Sequence, residues 1–206
     1  MPRHPTKHKL TVAVLTGALL AVGLAGCNRT QSTETLLAEA KEYQQKGDVK
    51  AALIQLKNAV ANSPEDGEAR LALGTLQLSS GDNASAEKEL GRARSLGIPD
   101  ERVLPLLGKT LAQQGKFKEV LELVTPGVAG KSAPLMALRG DALLGSGKPE
   151  EAEQAYAAAL AANPNSGEAL MGMARLSVAR GDRDATVRYV DEAVAKDARN
   201  PEVHMM

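Results

Sequence analysis

A glycine recurs along this chain at a nearly fixed interval. Gly47, Gly81 and Gly115 stand 34 residues apart, Gly147 follows 32 later and Gly181 another 34 later. Each is followed by Asp48, Asp82, Lys116, Lys148 or Asp182. A sustained interval of this length belongs to stacked supersecondary units, each too small to bury its apolar face alone. Glycine suits the left-handed residue that ends a helix, because it has no Cβ to clash there. Each glycine is therefore expected to mark a tight turn between two antiparallel helices.

Small residues keep the same register. Seven residues before each glycine stand Ala40, Gly74, Gly108, Gly140 and Ala174. Five residues after stand Ala52, Ala86, Val120, Ala152 and Thr186, and twelve after stand Ala59, Ala93, Gly127, Ala159 and Ala193. Such rows let the helices of a hairpin approach and let the next hairpin pack on them. Aromatic packing contributes little, since Tyr43, Phe117, Tyr156 and Tyr189 are the only aromatic residues. Pro64, Pro99 and Pro164 are expected to stop second helices and to start the helices that follow, where no amide donor is needed.

This pattern resembles the tetratricopeptide repeat over residues 33–206, so the expected fold is all-α, a solenoid of antiparallel helical hairpins. Five repeats are read at 33–66, 67–100, 101–132, 133–166 and 167–200. Tyr43 stands where the family often has Tyr, while the family's early Trp is absent throughout. The third repeat is degenerate: Val120 and Gly127 replace alanines, and Pro126 falls within the second helix. A short helix over about 117–124 and an irregular loop over Thr125–Ser132 are expected there, either as a bend or as a drifted repeat without a role. Residues 201–206, Pro201 to Met206, read as the opening of a sixth repeat. Repeat arrays normally close with a polar cap, so the expectation is a fragment of a longer array, the alternative being an end that packs on a partner.

The first 26 residues read as a signal peptide. Arg3, Lys7 and Lys9 precede an apolar stretch from Leu10 to Leu24, followed by Ala25, Gly26 and Cys27. This is the layout of a secretory leader. The run Leu24-Ala25-Gly26-Cys27 resembles a bacterial lipobox, which implies cleavage before Cys27 and acylation of its thiol. An uncleaved membrane anchor is the alternative, at the short end for spanning a bilayer. Acyl chains contribute ~0.8 kcal/mol per buried CH₂, so two or three of them would hold the chain firmly. Asn28 after the cysteine resembles an outer-membrane address by analogy with enterobacterial sorting, so the expected location is the periplasmic face of the envelope. Residues 27–32 read as a tether.

Several function classes are disfavoured. Removing Arg3, Lys7 and Lys9 from 25 basic residues leaves 22 against 25 acidic ones. Mild acidity and four aromatics make a poor nucleic-acid binder. Histidine occurs only at His4, His8 and His204, and Cys27 is the sole cysteine. No nucleophile with a base, no metal-ligand spacing and no phosphate-binding loop is evident, so neither enzyme activity, nor a metal, nor a cofactor is expected. Acidic pairs such as Glu65-Asp66 and Glu150-Glu151 stand at helix starts, where they complement the helix dipole.

In the resembled family the first helices line a groove. Carried over in register, its candidate lining includes Lys41, Gln44, Thr75, Leu78, Lys109, Gln113, Asp141, Leu144, Arg175 and Val178. Lys41, Lys109 and Arg175 occupy one row, interrupted by Thr75 and Asp141. They are either a broken basic stripe or ordinary solvated cations. The family's carboxylate clamp is absent, since Leu37, Leu71, Pro105, Ala137 and Met171 stand where it needs polar groups.

The wording of three segments narrows the resemblance. They are Lys46 to Ala59, Ala84 to Leu90, and Val103 to Leu107 leading to Gln114-Gly115-Lys116-Phe117. They look like the N-terminal part of tetratricopeptide lipoproteins of the PEP-CTERM/exosortase system. That resemblance implies a lipid-anchored scaffold binding envelope proteins, in protein sorting and exopolysaccharide export. The alternatives are direct capture of an anionic polysaccharide along the groove, and a piece of a larger envelope enzyme.

Overall fold

The computed structural model describes residues 31–197. The leader, Cys27, most of the tether, and residues 198–206 with the start of a sixth repeat lie outside the described residues. From Ser32 on, eleven helices follow one another, and no strand occurs among the described residues. In chain order they are α1 Thr33–Gln45, α2 Val49–Asn62, α3 Gly67–Ser79, α4 Asn83–Ser95, α5 Asp100–Gln113 and α6 Phe117–Leu123. Then come α7 Pro126–Ala129, α8 Ala133–Gly145, α9 Pro149–Ala162, α10 Gly167–Arg180 and α11 Arg183–Asp197. The pairs α1–α2, α3–α4, α8–α9 and α10–α11 are antiparallel hairpins; α5 and α6 stand between the second and third of them, and each unit packs on the next to form a solenoid.

The turns follow from the glycines. Gly47, Gly81, Gly115, Gly147 and Gly181 all have φ between 73° and 80°. This is the left-handed conformation that only glycine adopts without strain. The amide that follows the glycine then closes the turn, as when Asp82 N–H donates to the Gln77 carbonyl at 2.9 Å. The same residue begins the second helix. Asp48, Asp82 and Asp182 accept from the amides of Ala51, Ser85 and Ala185 at 3.0–3.2 Å. Lys116 and Lys148 cannot accept, and their helices have no side-chain cap.

The small rows are where the helices touch. Ala40, Ala52, Ala59, Ala86, Ala93, Ala152, Ala159 and Ala174 are all 3 % exposed or less. A methyl group on Gly74 would sit 2.8 Å from Leu90, and one on Gly108 2.3 Å from Leu138. Both distances are well inside van der Waals contact, so these two positions admit no side chain without displacement. Pro64 and Pro164 follow the C-caps of α2 and α9, as expected, but do not begin the next helices. They lie in the turns before α3 and α10, whose caps are Asp66 and Ser166, and Pro99 is itself the residue before α5. The prolines inside a first turn are Pro126, Pro134 and Pro149.

The third repeat has a second helix of only seven residues, α6. Pro126 does not disrupt it, because the chain has already left the helix at Val124. Pro126 instead opens the four-residue α7, where the Val128 amide donates to the Thr125 hydroxyl at 3.3 Å. Arg139 of α8 donates to the Val124 carbonyl at 3.0 Å and so satisfies an acceptor at the end of α6. Val120 and Val124 remain fully buried, and the core runs unbroken through this repeat from Leu71 to Ala142.

Candidate functional site

Stacking places the first helices α1, α3, α5, α8 and α10 in one layer, with α8 lying against both α5 and α10. Equivalent residues of neighbouring repeats are then close enough for long side chains to bridge. Arg102 of α5 grips Glu68 of α3, with Nη2 and Oε2 2.8 Å apart, and Arg175 of α10 grips Asp141 of α8. Both pairs join residues 34 apart in sequence.

The ten candidate groove positions separate into distinct groups. Lys109, Gln113, Asp141, Leu144 and Arg175 meet around one recess of about 430 Å³ between α5, α8 and α10. Its wall is completed by Ala112, Phe117, Leu138 and Gly145. Lys41 and Gln44 are exposed on α1, away from that recess. Thr75 is half-buried and donates to the Leu71 carbonyl of its own helix at 2.7 Å. Leu78 turns inward and belongs to the core. Val178 is 64 % exposed on α10 and outside the recess.

Two residues that the sequence pattern did not single out shape this region. Tyr156 comes from the second helix α9, yet its ring is fully buried between Gly140 and Gly172 of the first helices on either side. A methyl group on those glycines would lie 2.5 Å and 2.2 Å from it. Its hydroxyl donates to Asp141 Oδ1 at 2.7 Å. Burial first, and the Asp141 carboxylate second, push the Tyr156 phenol far above its ordinary range, so it stays a donor. For Arg175, burial works against the charge, but the Asp141 carboxylate more than offsets it and the guanidinium stays above its ordinary value. Phe117 is the second. Its ring lies over Gly145, where a methyl group would approach within 2.5 Å. Gly145 itself was the available signal, since Gln45, Ser79, Gln113 and Ala179 hold its position in the other repeats.

Among the described residues no cluster of His, Cys, Asp and Glu is placed to hold a metal ion. No helix among them is long and apolar enough to cross a membrane.

Two models of the tetratricopeptide repeat match this chain, over residues 37–96 and 143–206. The chain is a tetratricopeptide-repeat protein. Solved structures share the fold of the tetratricopeptide array. MamA from Desulfovibrio magneticus RS-1, residues 41 to its end, is 16% identical with a TM-score of 0.66, covering 82% of this chain and 97% of that one. A thermophilic tetratricopeptide protein of Thermus thermophilus is 19% identical with a TM-score of 0.68, covering 84% and 95%. YrrB, described as having an unusual peptide-binding site, is 15% identical with a TM-score of 0.57, covering 83% and 95%. Comparison with curated proteins finds no match.

Proposed function

We propose that this chain is a lipid-anchored, protein-binding scaffold of the Gram-negative envelope, serving PEP-CTERM/exosortase sorting and exopolysaccharide export. The observation that carries the binding role is the open recess between α5, α8 and α10, where charged and apolar side chains of three repeats converge on one surface. Tetratricopeptide structures include YrrB, described as having an unusual peptide-binding site, and peptide binding on the first-helix layer is the reading proposed for this chain. The anchor rests on the leader and the placement of Cys27, and the cellular context rests on the wording of the segments around Ala52, Ala86 and Val103.

Capture of an anionic polysaccharide is the weaker reading. Of the three cations in the row, Arg175 is already committed to Asp141. Lys41 and Lys109 stand on α1 and α5, with Thr75 bonded to its own helix between them.

Two measurements test the proposal. In the source bacterium, Cys27→Ser should abolish incorporation of a labelled fatty acid and release the protein from the membrane fraction. Deletion of the gene should reduce secreted exopolysaccharide and mis-sort PEP-CTERM substrates. Unchanged labelling would remove the anchor, and normal sorting with normal polysaccharide would remove the assigned context.

A further inference from the structure

We infer that the recess between α5, α8 and α10 recognises an extended protein segment that carries an acidic side chain close to a large apolar one. This deepens the scaffold reading and rests on it. The recess has the size of ligand-holding clefts, roughly 300–1,000 Å³. Its floor is apolar, built from Leu138, Leu144, Ala112 and the Phe117 ring. Phe117 can contribute to that floor because position 145 is glycine: any side chain there would collide with its ring.

The charges decide the rest. Arg175 and Asp141 neutralise each other within the wall. Asp141 also accepts from buried Tyr156, which holds the carboxylate in place. Lys109 is exposed at the edge and has no ion-pair partner among the described residues. The recess thus offers one uncompensated cation beside an apolar floor. In an extended segment neighbouring residues are ~3.3 Å apart, so an acidic group one to three residues from an apolar one reaches both features. A polyanion fits less well. Its repeated charges would pass over the Asp141 carboxylate, and its hydroxyls would find few partners on Leu138, Leu144 and Phe117.

The test is selection of a random octapeptide display library on the full-length chain in detergent, followed by fluorescence anisotropy with the selected peptides. Enrichment of Asp or Glu within three residues of Leu, Ile, Phe or Met is expected. Lys109→Glu should lower affinity for those peptides at least tenfold and should select basic residues in place of acidic ones. Leu144→Ser should weaken binding at least fivefold, while Lys41→Glu, on α1, should leave it within twofold. Circular dichroism melts check that each variant is folded. Absence of an acidic–apolar pattern, the same pattern from Lys109→Glu, or displacement of the peptides by alginate would each overturn the inference. Sorting and polysaccharide defects in the deletion strain that are fully rescued by Lys109→Glu would also overturn it while leaving the scaffold reading intact.

Discussion

Tyr156 shows how much a single residue settles in this array. It starts on α9 and ends against Asp141 of α8, so it joins the second-helix layer to the groove wall. Tyr156→Phe removes one buried hydrogen bond to a charged acceptor and should cost about 1.5–3 kcal/mol, read from urea unfolding followed by circular dichroism. Gly172→Ala tests the same packing from the other side. Its methyl would meet the ring at 2.2 Å, and overpacking of this kind costs typically about 1–3 kcal/mol. A variant as stable as wild type would mean that the ring has room to move. Residue pairs between repeats obey a second rule. The sixth residue after one turn glycine faces the residue before the next. Glu87 accepts from Gln114, and Glu153 from Arg180, both at 2.7 Å. Where that sixth residue is Leu53 or Leu121, its counterpart is Ser80 or Ser146, whose hydroxyl turns back to its own helix.

At the scale of the helix, the ends decide local stability. Asp82 caps α4 by accepting from the Ser85 amide at 3.2 Å. Asp82→Ala should destabilise the array by about 1 kcal/mol, measured by the shift of the urea midpoint at constant slope. The third repeat is where elements are shortest, with seven residues in α6 and four in α7. Short helices have few intrahelical bonds relative to their frayed ends. Amides of residues 117–132 should therefore exchange with solvent faster than those of α8 and α9, in native-state hydrogen exchange by mass spectrometry. Equal protection would show that Arg139 and the buried Val120 and Val124 compensate fully.

For the whole molecule, the stack is held by a series of apolar clusters and by ion pairs that bridge repeats. Glu68, Glu87 and Glu153 are held below the usual carboxylate range, chiefly by hydrogen bonds from Arg102, Lys116 and Arg180. A depressed carboxylate contributes stability above its unfolded value, about 4.3, and loses it as pH falls through the lower folded value. Lys116 is raised by Glu87, so its contribution is present below its ordinary range and is lost as pH rises through the folded value. The pair Glu87–Lys116 therefore stabilises between those limits. Stability should fall as pH drops below about 4.3, and the triple variant Glu68→Gln, Glu87→Gln, Glu153→Gln should show a shallower fall in the same interval. Identical acid profiles would mean that these exposed pairs contribute nothing measurable, the usual outcome for isolated surface pairs.

The hairpins themselves were legible in the chain because their determinants are local and repeated. A left-handed turn requires glycine, and close helix approach requires Ala or Gly, so both recur at the repeat interval. The groove was legible only as a register of positions, of which Lys109, Gln113, Asp141, Leu144 and Arg175 share one recess while Leu78 enters the core. What the tertiary structure alone decided is which side chains remain available there. Arg175 is neutralised by a residue 34 positions earlier, Tyr156 arrives from another layer, and Gly145 admits Phe117. Such meetings depend on how one helix is set against its neighbour, and no repeated local pattern encodes them.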